Sequence, residues 1–352
     1  MTEDKMNDAE PRRDIPDDLA EKVENLSAPL GELRDSLNQV LLGKEVLIEA
    51  LITGILAGGH VLLEGLPGLG KTELVKGFAR LCRIDFNRVQ FTPDLLPSDI
   101  TGSFILQQEE GSRKFIFQEG PIFTNVLLGD EINRASPKTQ SALLEAMAER
   151  SVTVMGETRR LPEPFFVIAT QNPIELEGTY PLPEAQVDRF LFKLHLDRPG
   201  TEVLSDIVRN RIGGAPPNQE PVLDLEQLRE AMSVTGQVFI SQAVAGYISR
   251  LVEASHPDSD TAPDLVKQYV RYGGSPRAAI SLGAAARAAA LLQGRPYAGF
   301  DHVRSMFRHV MNHRIILDYS ARIERVTVGQ VMDAMLEEVS ETSKALPQGV
   351  RA

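Results

Sequence analysis

The chain has little of several residue types that define particular protein classes. Its 352 residues contain no tryptophan and a single cysteine, Cys82. One cysteine cannot form an internal disulfide, so the sequence does not indicate a disulfide-stabilised secreted protein and favours a reducing, cytoplasmic environment. We expect Cys82 to be a packing residue rather than a reactive thiol.

Long hydrophobic runs are also missing. The most apolar stretch, Leu47–Leu63, is interrupted by Glu49, His60 and three glycines. A membrane-spanning helix needs about 20 consecutive apolar residues, so this stretch indicates a buried helix followed by a strand. The first 25 residues are acidic and polar, without the apolar segment of a signal peptide. The sequence therefore predicts no transmembrane segment.

Basic residues are outnumbered by acidic ones. There are 37 Lys and Arg against 49 Asp and Glu, which gives a net charge of −12. Proteins that bind DNA or RNA generally carry a basic surface, so this balance weighs against nucleic acid as the partner. This balance does not exclude a local basic loop that binds nucleic acid. Arg159-Arg160, in a predicted hairpin, is a basic pair of the kind such a loop would contain.

One segment is rich in glycine at a specific spacing. Gly65-Leu66-Pro67-Gly68-Leu69-Gly70-Lys71-Thr72 directly follows the apolar run Val61–Glu64 and precedes a helical stretch, Thr72–Leu81. A strand, a glycine loop with Lys-Thr and a helix form the context of a phosphate-binding P-loop. Lys71 would contact the β- and γ-phosphates and the Thr72 hydroxyl would bind Mg²⁺. The sequence predicts a nucleoside triphosphate site.

Polar residues follow two other apolar runs that are predicted strands. Val126–Asp130 ends in Asp130-Glu131, and Phe165–Thr170 is followed by Asn172. Asp130 would hold Mg²⁺, Glu131 would polarise the attacking water, and Asn172 would orient it. These residues predict hydrolysis of the bound nucleotide.

Short apolar runs alternate with helical stretches between residues 40 and 196. Such alternation predicts an α/β fold with a parallel five-stranded sheet, whose ligands bind at the carboxyl ends of the strands. The predicted strands are Val61–Glu64, Arg88–Phe91, Val126–Asp130, Phe165–Thr170 and Phe190–Leu196. Two hairpins are predicted as insertions, Ser103–Leu106 with Lys114–Phe117 and Ser151–Val154 with Thr158–Leu161.

Composition divides the chain into four parts. Residues 1–25 are predicted to be an acidic flexible tail, and residues 26–199 an ATPase core that opens with a helix from Leu26 to Gln39. Residues 200–340 are predicted to form an all-helical lid, with its clearest helix at Ser275–Gln293. Residues 341–352 are predicted to be a polar tail.

Two arginines have contexts that suit phosphoryl transfer. Arg189 lies in Asp188-Arg189-Phe190, just before the last predicted strand, and Arg277 opens the helix after Ser275-Pro276. Phosphoryl transfer needs positive charge on the transferring group, which an arginine of a neighbouring subunit or of a lid can supply.

Long motifs make the chain resemble the MoxR family of AAA+ ATPases. They are Gly65–Thr72, Gln90–Asp99, Gly120–Phe123, Asp130–Arg134, Ala169–Pro173, Glu177–Phe190, Gly274–Ala278 and His313–Ile315. The resemblance extends from Val40 through the helical part. Gly70 stands where many relatives carry alanine.

The resemblance assigns roles to individual residues. It implies that Asn172 is the sensor-1 residue, Arg189 the arginine finger for the next subunit, and Arg277 the sensor-2 arginine that reads the nucleotide from the lid. It implies that Leu41-Leu42-Gly43 packs near the adenine. The two hairpins correspond to the helix-2 insert and the pre-sensor-1 hairpin of the family.

The resemblance also implies partners. The expected protein is an ATP- and Mg²⁺-dependent chaperone that forms a homo-oligomer, a hexameric ring, and activates proteins with a von Willebrand factor A domain, including by metal or cofactor insertion. Three alternatives are a nucleic-acid motor related to helicases, a magnesium chelatase subunit, and a scaffold that binds ATP without turning it over. The acidic charge, the long motifs and the hydrolytic residues respectively weigh against them.

Overall fold

The computed structural model describes residues 17–109, 112–173, 179–210 and 219–342. The predicted tail residues 1–16 and 343–352 lie outside these ranges. The first part of the chain forms an α/β core. Its elements are α1 (Asp17–Val40), α2 (Glu45–Leu56), β1 (Val61–Gly65), α3 (Lys71–Leu81), β2 (Phe86–Gln90), α4 (Pro97–Thr101), β3 (Gly102–Glu109), β4 (Ser112–Glu119), β5 (Val126–Asp130), α5 (Pro137–Glu149), β6 (Ser151–Val154), β7 (Glu157–Arg160), β8 (Phe166–Gln171), α6 (Glu184–Val187) and β9 (Phe192–Leu196).

The central sheet has five parallel strands in the order β2-β5-β8-β1-β9. This confirms the predicted fold class, with strand bounds that differ by at most two residues. Val61, Leu62 and Leu63 of β1 are fully buried, because helices cover both faces of the sheet. The segments that follow β1, β5 and β8 therefore meet at one edge of the sheet, which we call the carboxyl edge.

The second part of the chain is a lid made mainly of helices. Its elements are α7 (Thr201–Asn210), α8 (Leu225–Gln237), β10 (Phe239–Ile240), α9 (Gln242–Glu253), α10 (Asp264–Tyr269), β11 (Val270–Tyr272), α11 (Pro276–Leu292), β12 (Tyr297–Ala298), α12 (Phe300–Met311), β13 (Ile316–Leu317), α13 (Tyr319–Glu324) and α14 (Val328–Glu338). Two short sheets, β10 with β12 and β11 with β13, correct the all-helical prediction. Strands of two or three residues are too short to show an alternating pattern in the sequence.

The first helix is longer than predicted. It begins at Asp17, so residues 17–25 are helical and do not belong to a flexible tail. Leu19 and Val23 are buried and continue, at helical spacing, the apolar stripe formed by Leu26, Leu30 and Leu33. A flexible tail would lack these apolar contacts. They stabilise the helix from Asp17 onward, although acidic residues surround Leu19 and Val23.

This first helix lies against both parts of the chain. Its last residue, Val40, approaches Gly77 of α3 so closely that a Cβ on this glycine would lie 3.0 Å from Val40 Cγ1. Near its middle, Ser27 Oγ would lie 3.0 Å from a Cβ on Gly294, just after α11. The core and the lid consequently share one hydrophobic cluster that runs from α1 into the lid helices.

The two predicted hairpins are present and contact each other. The β3–β4 hairpin is longer than predicted: its strands pair from Gly102 opposite Glu119 to Glu109 opposite Ser112. In the second hairpin, β6 and β7 pair from Ser151 opposite Arg160 to Val154 opposite Glu157. The Arg159 guanidinium carbon on β7 lies 4.3 Å from the centroid of the Phe117 ring on β4. A cation–π contact therefore joins the hairpins.

Candidate functional site at the carboxyl edge and a cleft at the amino edge

The predicted P-loop connects β1 to α3 at the carboxyl edge. Gly70 has φ +88°, a left-handed conformation that suits glycine, and a Cβ there would lie 2.7 Å from Leu41 Cδ1. Both observations explain why glycine suits this position. The helix α3 starts at Lys71 and directs its positive end toward the loop.

Lys71 is buried at the base of this loop. Its Nζ donates a hydrogen bond of 2.8 Å to the carbonyl oxygen of Gly65. Burial lowers the pKa of Lys71, and the negative charges of Asp130 and Glu131 oppose that effect. Among the described residues no carboxylate forms a salt bridge with Lys71, so its charge is available to phosphate oxygens.

The segment predicted to lie near the adenine adjoins the P-loop. Leu41 is buried beside Gly70, and a Cβ on Gly43 would lie 2.6 Å from Val203 Cγ2 of α7. Leu41-Leu42-Gly43 thus lies between the P-loop and the first helix of the lid. The position agrees with the expected role, which stays a prediction.

Asp130, the last residue of β5, and Glu131, which follows it, are organised by a threonine that was not among the predicted site residues. Thr170 Oγ1 donates a hydrogen bond of 2.6 Å to Asp130 Oδ1 and accepts one of 2.9 Å from the backbone N–H of Glu131. Glu131 has φ +58°. A signal for Thr170 exists, since it is a polar residue in the buried strand β8 beside β5.

Three further polar residues hold these carboxylates; Gln90 and Arg134 occur in the family motifs without a predicted role, and Arg88 occurs in none of those motifs. Arg88 Nη2 on β2 lies 2.7 Å from Asp130 Oδ2. Gln90 Nε2 donates a hydrogen bond of 2.8 Å to Glu131 Oε2, and Arg134 Nη1 lies 3.0 Å from that same oxygen. Each acid is therefore paired with one guanidinium. Only the register of β2 against β5 brings Arg88 and Gln90 to this edge.

The donors at this edge fit a nucleotide-bound magnesium ion. Asp130 supplies a carboxylate and Thr72, at the start of α3, supplies a hydroxyl. Mg²⁺ usually takes one or two protein carboxylates together with phosphate oxygens and water. No cluster of three or more His, Cys, Asp or Glu side chains forms a metal site within the described ranges. Asp130 and Thr72 would thus hold Mg²⁺ together with the phosphates.

Asn172 lies at the same edge. It is buried directly after β8, the strand between β5 and β1. The structure thus gathers Lys71, Asp130, Glu131 and Asn172 at the ends of three adjacent strands, as the sequence predicted.

The two predicted arginines lie at the opposite edge. Arg189 lies just before β9. Leu191, the residue directly before β9, donates a backbone hydrogen bond of 2.8 Å to the carbonyl oxygen of His60, which precedes β1. Arg277 Nη1 lies 3.7 Å from Asp188 Oδ2 beside it. The length of β1, about 16 Å for five residues, separates this amino edge from the P-loop. The resemblance implied that Arg277 reads the nucleotide of its own chain from the lid, whereas the structure places Arg277 beside Asp188 at the amino edge.

A buried arginine holds the segment that carries Arg189. Arg314 Nε donates to Asp188 Oδ1 at 2.7 Å, and its Nη atoms donate to the carbonyl oxygens of Phe190 at 2.9 Å and Leu191 at 3.1 Å. Because a buried charge is costly unless it is paired and hydrogen-bonded, these contacts fix the turn firmly. Arg314 therefore holds the residues on either side of Arg189 in place. In the sequence, Arg314 was recognisable only as part of the family motif His313–Ile315.

Four histidines are held inside the fold by hydrogen bonds or ring contacts. His60 is buried, accepts a hydrogen bond at Nδ1 from the Val167 N–H and contacts the Met147 carbonyl through Nε2; burial lowers its pKa to about 4. His302 contacts Gln293, His309 lies against the ring of Phe192 and His313 contacts the Phe190 carbonyl. No helix of the described residues is long and apolar enough to cross a membrane.

Comparisons with known proteins agree with this architecture. Residues 60–192 match the model of the ATPase family associated with various cellular activities (AAA), and residues 263–335 match the AAA lid domain. A crystal structure of a protein from Cytophaga hutchinsonii ATCC 33406 superposes with a TM-score of 0.84 at 39% identity, covering 92% of this chain and 98% of the other.

Sequence relatives extend over most of the chain. Chaperone MoxR1 of Mycobacterium tuberculosis is 42% identical over 94% of this chain and 84% of its own length. Protein MoxR of Methylorubrum extorquens is 31% identical over 87% of this chain and 92% of its own length. With a P-loop, two acidic residues and a buried asparagine gathered at one edge of an AAA sheet, the chain belongs to the MoxR family of AAA+ ATPases and hydrolyses ATP.

Proposed function

We propose that this protein is a ring-forming chaperone in which each ATP is hydrolysed between two subunits. One observation carries the proposal: Lys71, Asp130 and Glu131 lie at the carboxyl edge of the sheet, and Arg189 and Arg277 lie at the amino edge. A head-to-tail arrangement of subunits places the amino edge of one chain against the carboxyl edge of the next. Six copies would close the ring that the family resemblance implies.

The residues divide the chemistry between them. MgATP supplies the transferred phosphoryl group and the divalent charge. Lys71 and the P-loop amides neutralise the phosphates, while Glu131, positioned by Thr170 and Gln90, accepts the proton of the attacking water. Arg189 and Arg277 of the neighbouring subunit stabilise the charge that develops on the transferred group.

Mixing two inactive variants tests action between subunits. Lys71→Ala should abolish ATP binding and Arg189→Ala should abolish turnover, each by at least about 10³-fold. Hybrid rings should recover hydrolysis, because some interfaces combine an intact P-loop with an intact arginine. Hybrid rings that form, as shown by native mass spectrometry, and stay inactive would contradict action in trans.

The client is proposed to be a protein with a von Willebrand factor A domain, which the chaperone activates in the cytoplasm, including by metal or cofactor insertion. The family resemblance supports the client class, and the β3–β4 hairpin supplies a contact surface, since Leu106 and Phe115 are 52% and 71% exposed. These paired residues lie on one face of the hairpin.

A hydrolysis-deficient variant tests the client. Glu131→Gln should retain ATP and hold its client when it is purified from native lysate with ATP and Mg²⁺. A von Willebrand factor A protein that co-purifies with ATP, and not with ADP, is the expected result. Nucleic acid or replication proteins in the ATP eluate would instead favour the helicase-related alternative.

A further inference from the structure

The cleft at the amino edge carries more positive charge than two arginines supply. It has a volume of about 350 Å³ and lies between the start of the sheet, the end of α5 and the first turns of α11. Four arginines line it, namely Arg150, Arg189, Arg277 and Arg314, together with one carboxylate, Asp188. In a protein with a net charge of −12, this excess of positive charge marks an anion site.

The carboxylate is already engaged by two of these arginines. Arg314 Nε lies 2.7 Å from Asp188 Oδ1, and Arg277 Nη1 lies 3.7 Å from Asp188 Oδ2. Within the described part of the chain, Arg150 and Arg189 have no carboxylate partner. Arg189 Nη1 donates to the Leu144 carbonyl, and Arg150 Nη2 to the Gly58 carbonyl at 3.4 Å. Two full charges therefore face the cleft without compensation.

The backbone conformation at position 150 does not require an arginine. Arg150 ends α5 with φ +50° and ψ +31°, a left-handed conformation that glycine adopts more easily. Its side chain is exposed, and its carbonyl contact of 3.4 Å is long for a hydrogen bond. The fold therefore gives no strong reason for an arginine at this position, whereas the cleft does.

We propose that Arg150 is a third arginine that contacts the polyphosphate of the nucleotide bound by the neighbouring subunit, together with Arg189 and Arg277. This inference rests on the proposed arrangement of subunits. A planar guanidinium can donate two parallel hydrogen bonds to phosphate oxygens, and several such groups match the charge of a triphosphate. Arg314, which is buried and fully paired, serves as the support of the site.

The test is Arg150→Gly, compared with Arg325→Gly. Arg325 is also an exposed arginine that ends a helix in the left-handed conformation, with φ +58°, and it lies outside the cleft. Both substitutions relieve the same backbone preference. We expect the two variants to have similar thermal midpoints, because the same backbone preference is relieved in each. Arg150→Gly should lose hydrolysis by about tenfold or more, and Arg325→Gly should keep it.

Mixing experiments separate this inference from the proposed function. Arg150→Gly mixed in equal amounts with Lys71→Ala should recover up to about a quarter of the wild-type rate, since half of the subunits have an intact pocket and half of those face an intact neighbour. Wild-type hydrolysis by Arg150→Gly alone would overturn the inference. Rescue of Arg189→Ala without rescue of Arg150→Gly would also overturn it and leave the proposed function standing. Rescue of neither would overturn both.

A second variant covers a failure of the glycine variant to fold. Arg150→Lys keeps the positive charge at the carboxyl end of α5, which a helix terminus favours, and removes the planar fork. We expect it to lose hydrolysis and to be rescued by Lys71→Ala in the same way. Full activity of the lysine variant would overturn a role that depends on the guanidinium.

Discussion

Single residues at the carboxyl edge act through the groups that hold them. Asp130 and Glu131 were recognisable in the sequence, but their orientation depends on Thr170, Arg88 and Gln90, which lie on neighbouring strands. A residue on an adjacent strand is brought close by register and not by proximity along the chain, so the sequence does not show which acid it contacts, even for Thr170, a polar residue in a buried strand.

Removing one hydroxyl should separate positioning from binding. Thr170→Val keeps the size of the side chain and removes both hydrogen bonds to the acidic pair. We expect kcat to fall about 10- to 100-fold, as for other groups that orient a metal-binding or catalytic carboxylate, with little change in ATP affinity. Single-turnover hydrolysis and nucleotide titration would measure the two effects.

Thr53→Val is the matched control for that experiment. Thr53 is also buried and donates a hydrogen bond of 2.7 Å to the Glu49 carbonyl, within helix α2. It should keep the wild-type kcat. Equal turnover by Thr170→Val and Thr53→Val would show that Thr170 does not position Asp130 and Glu131 for hydrolysis.

At the scale of elements, the two hairpins are coupled through an aromatic cluster. Phe117 packs edge to face with both Phe104 and Phe123, and Arg159 lies over its ring. The sequence predicted each hairpin from its own alternation and turn residues. Their contact was not predictable, because Arg159 also suited a solvent-exposed or nucleic-acid-binding role.

Loss of this contact should loosen the β3–β4 hairpin. A cation–π contact at a partly exposed site contributes about 0.5–1 kcal/mol. We therefore expect Arg159→Gln to accelerate amide hydrogen exchange in β3 and β4 roughly threefold, since 1 kcal/mol corresponds to about a fivefold change in the opening equilibrium. Exchange measured by mass spectrometry would detect this change.

Arg160→Gln gives the comparison. Arg160 is the next residue on β7 and is exposed. Of the described ring contacts, none involves Arg160, so its replacement should leave exchange in β3 and β4 unchanged. Unchanged exchange in Arg159→Gln as well would show that the hairpins open independently.

At the scale of the molecule, two buried histidines lie near the amino edge where the lid meets the core, and burial disfavours the protonated form of each. His313 lies against the Phe190 carbonyl, and burial lowers its pKa to about 3; burial lowers the pKa of His60, beneath the same edge, to about 4. Both are neutral in the folded protein at neutral pH. Protonation of either would leave a charge in an apolar setting.

The free energy of unfolding should therefore fall as the pH falls below 6.5. Between pH 6.5, the ordinary histidine value, and the lowered values of His60 and His313, the unfolded chain binds protons that the folded chain excludes. This difference amounts to roughly 2 kcal/mol per histidine by pH 5, which is still above the ordinary pKa values of Asp and Glu. Urea unfolding from pH 7.5 to pH 5 would measure it.

Histidine variants identify the groups responsible. His313→Gln should make the decline shallower, because the variant lacks one of the two buried imidazoles. A urea midpoint in the wild type that is constant from pH 7.5 to pH 5 would contradict the link to buried histidines.

The sequence by itself determined the parallel sheet, the P-loop, the acidic pair and the family. Each of these depends on contiguous residues, such as β1 running into Gly65–Thr72, whose pattern fixes local conformation and chemistry. It underestimated α1, because an apolar stripe that starts at Leu19 lies among acidic residues.

Only the tertiary structure decided which residues share a site. The placement of Arg277 and Arg150 with Arg189, away from Lys71, follows from the direction of the strands and from where α5 and α11 end. These residues are far apart in the chain, and the contacts that bring them together arise from packing on both faces of the sheet, where one hydrophobic cluster contains α1 and the lid and a second contains α5. Side chains that meet by packing leave no spacing rule in the sequence, so their common cleft appears only in the folded molecule.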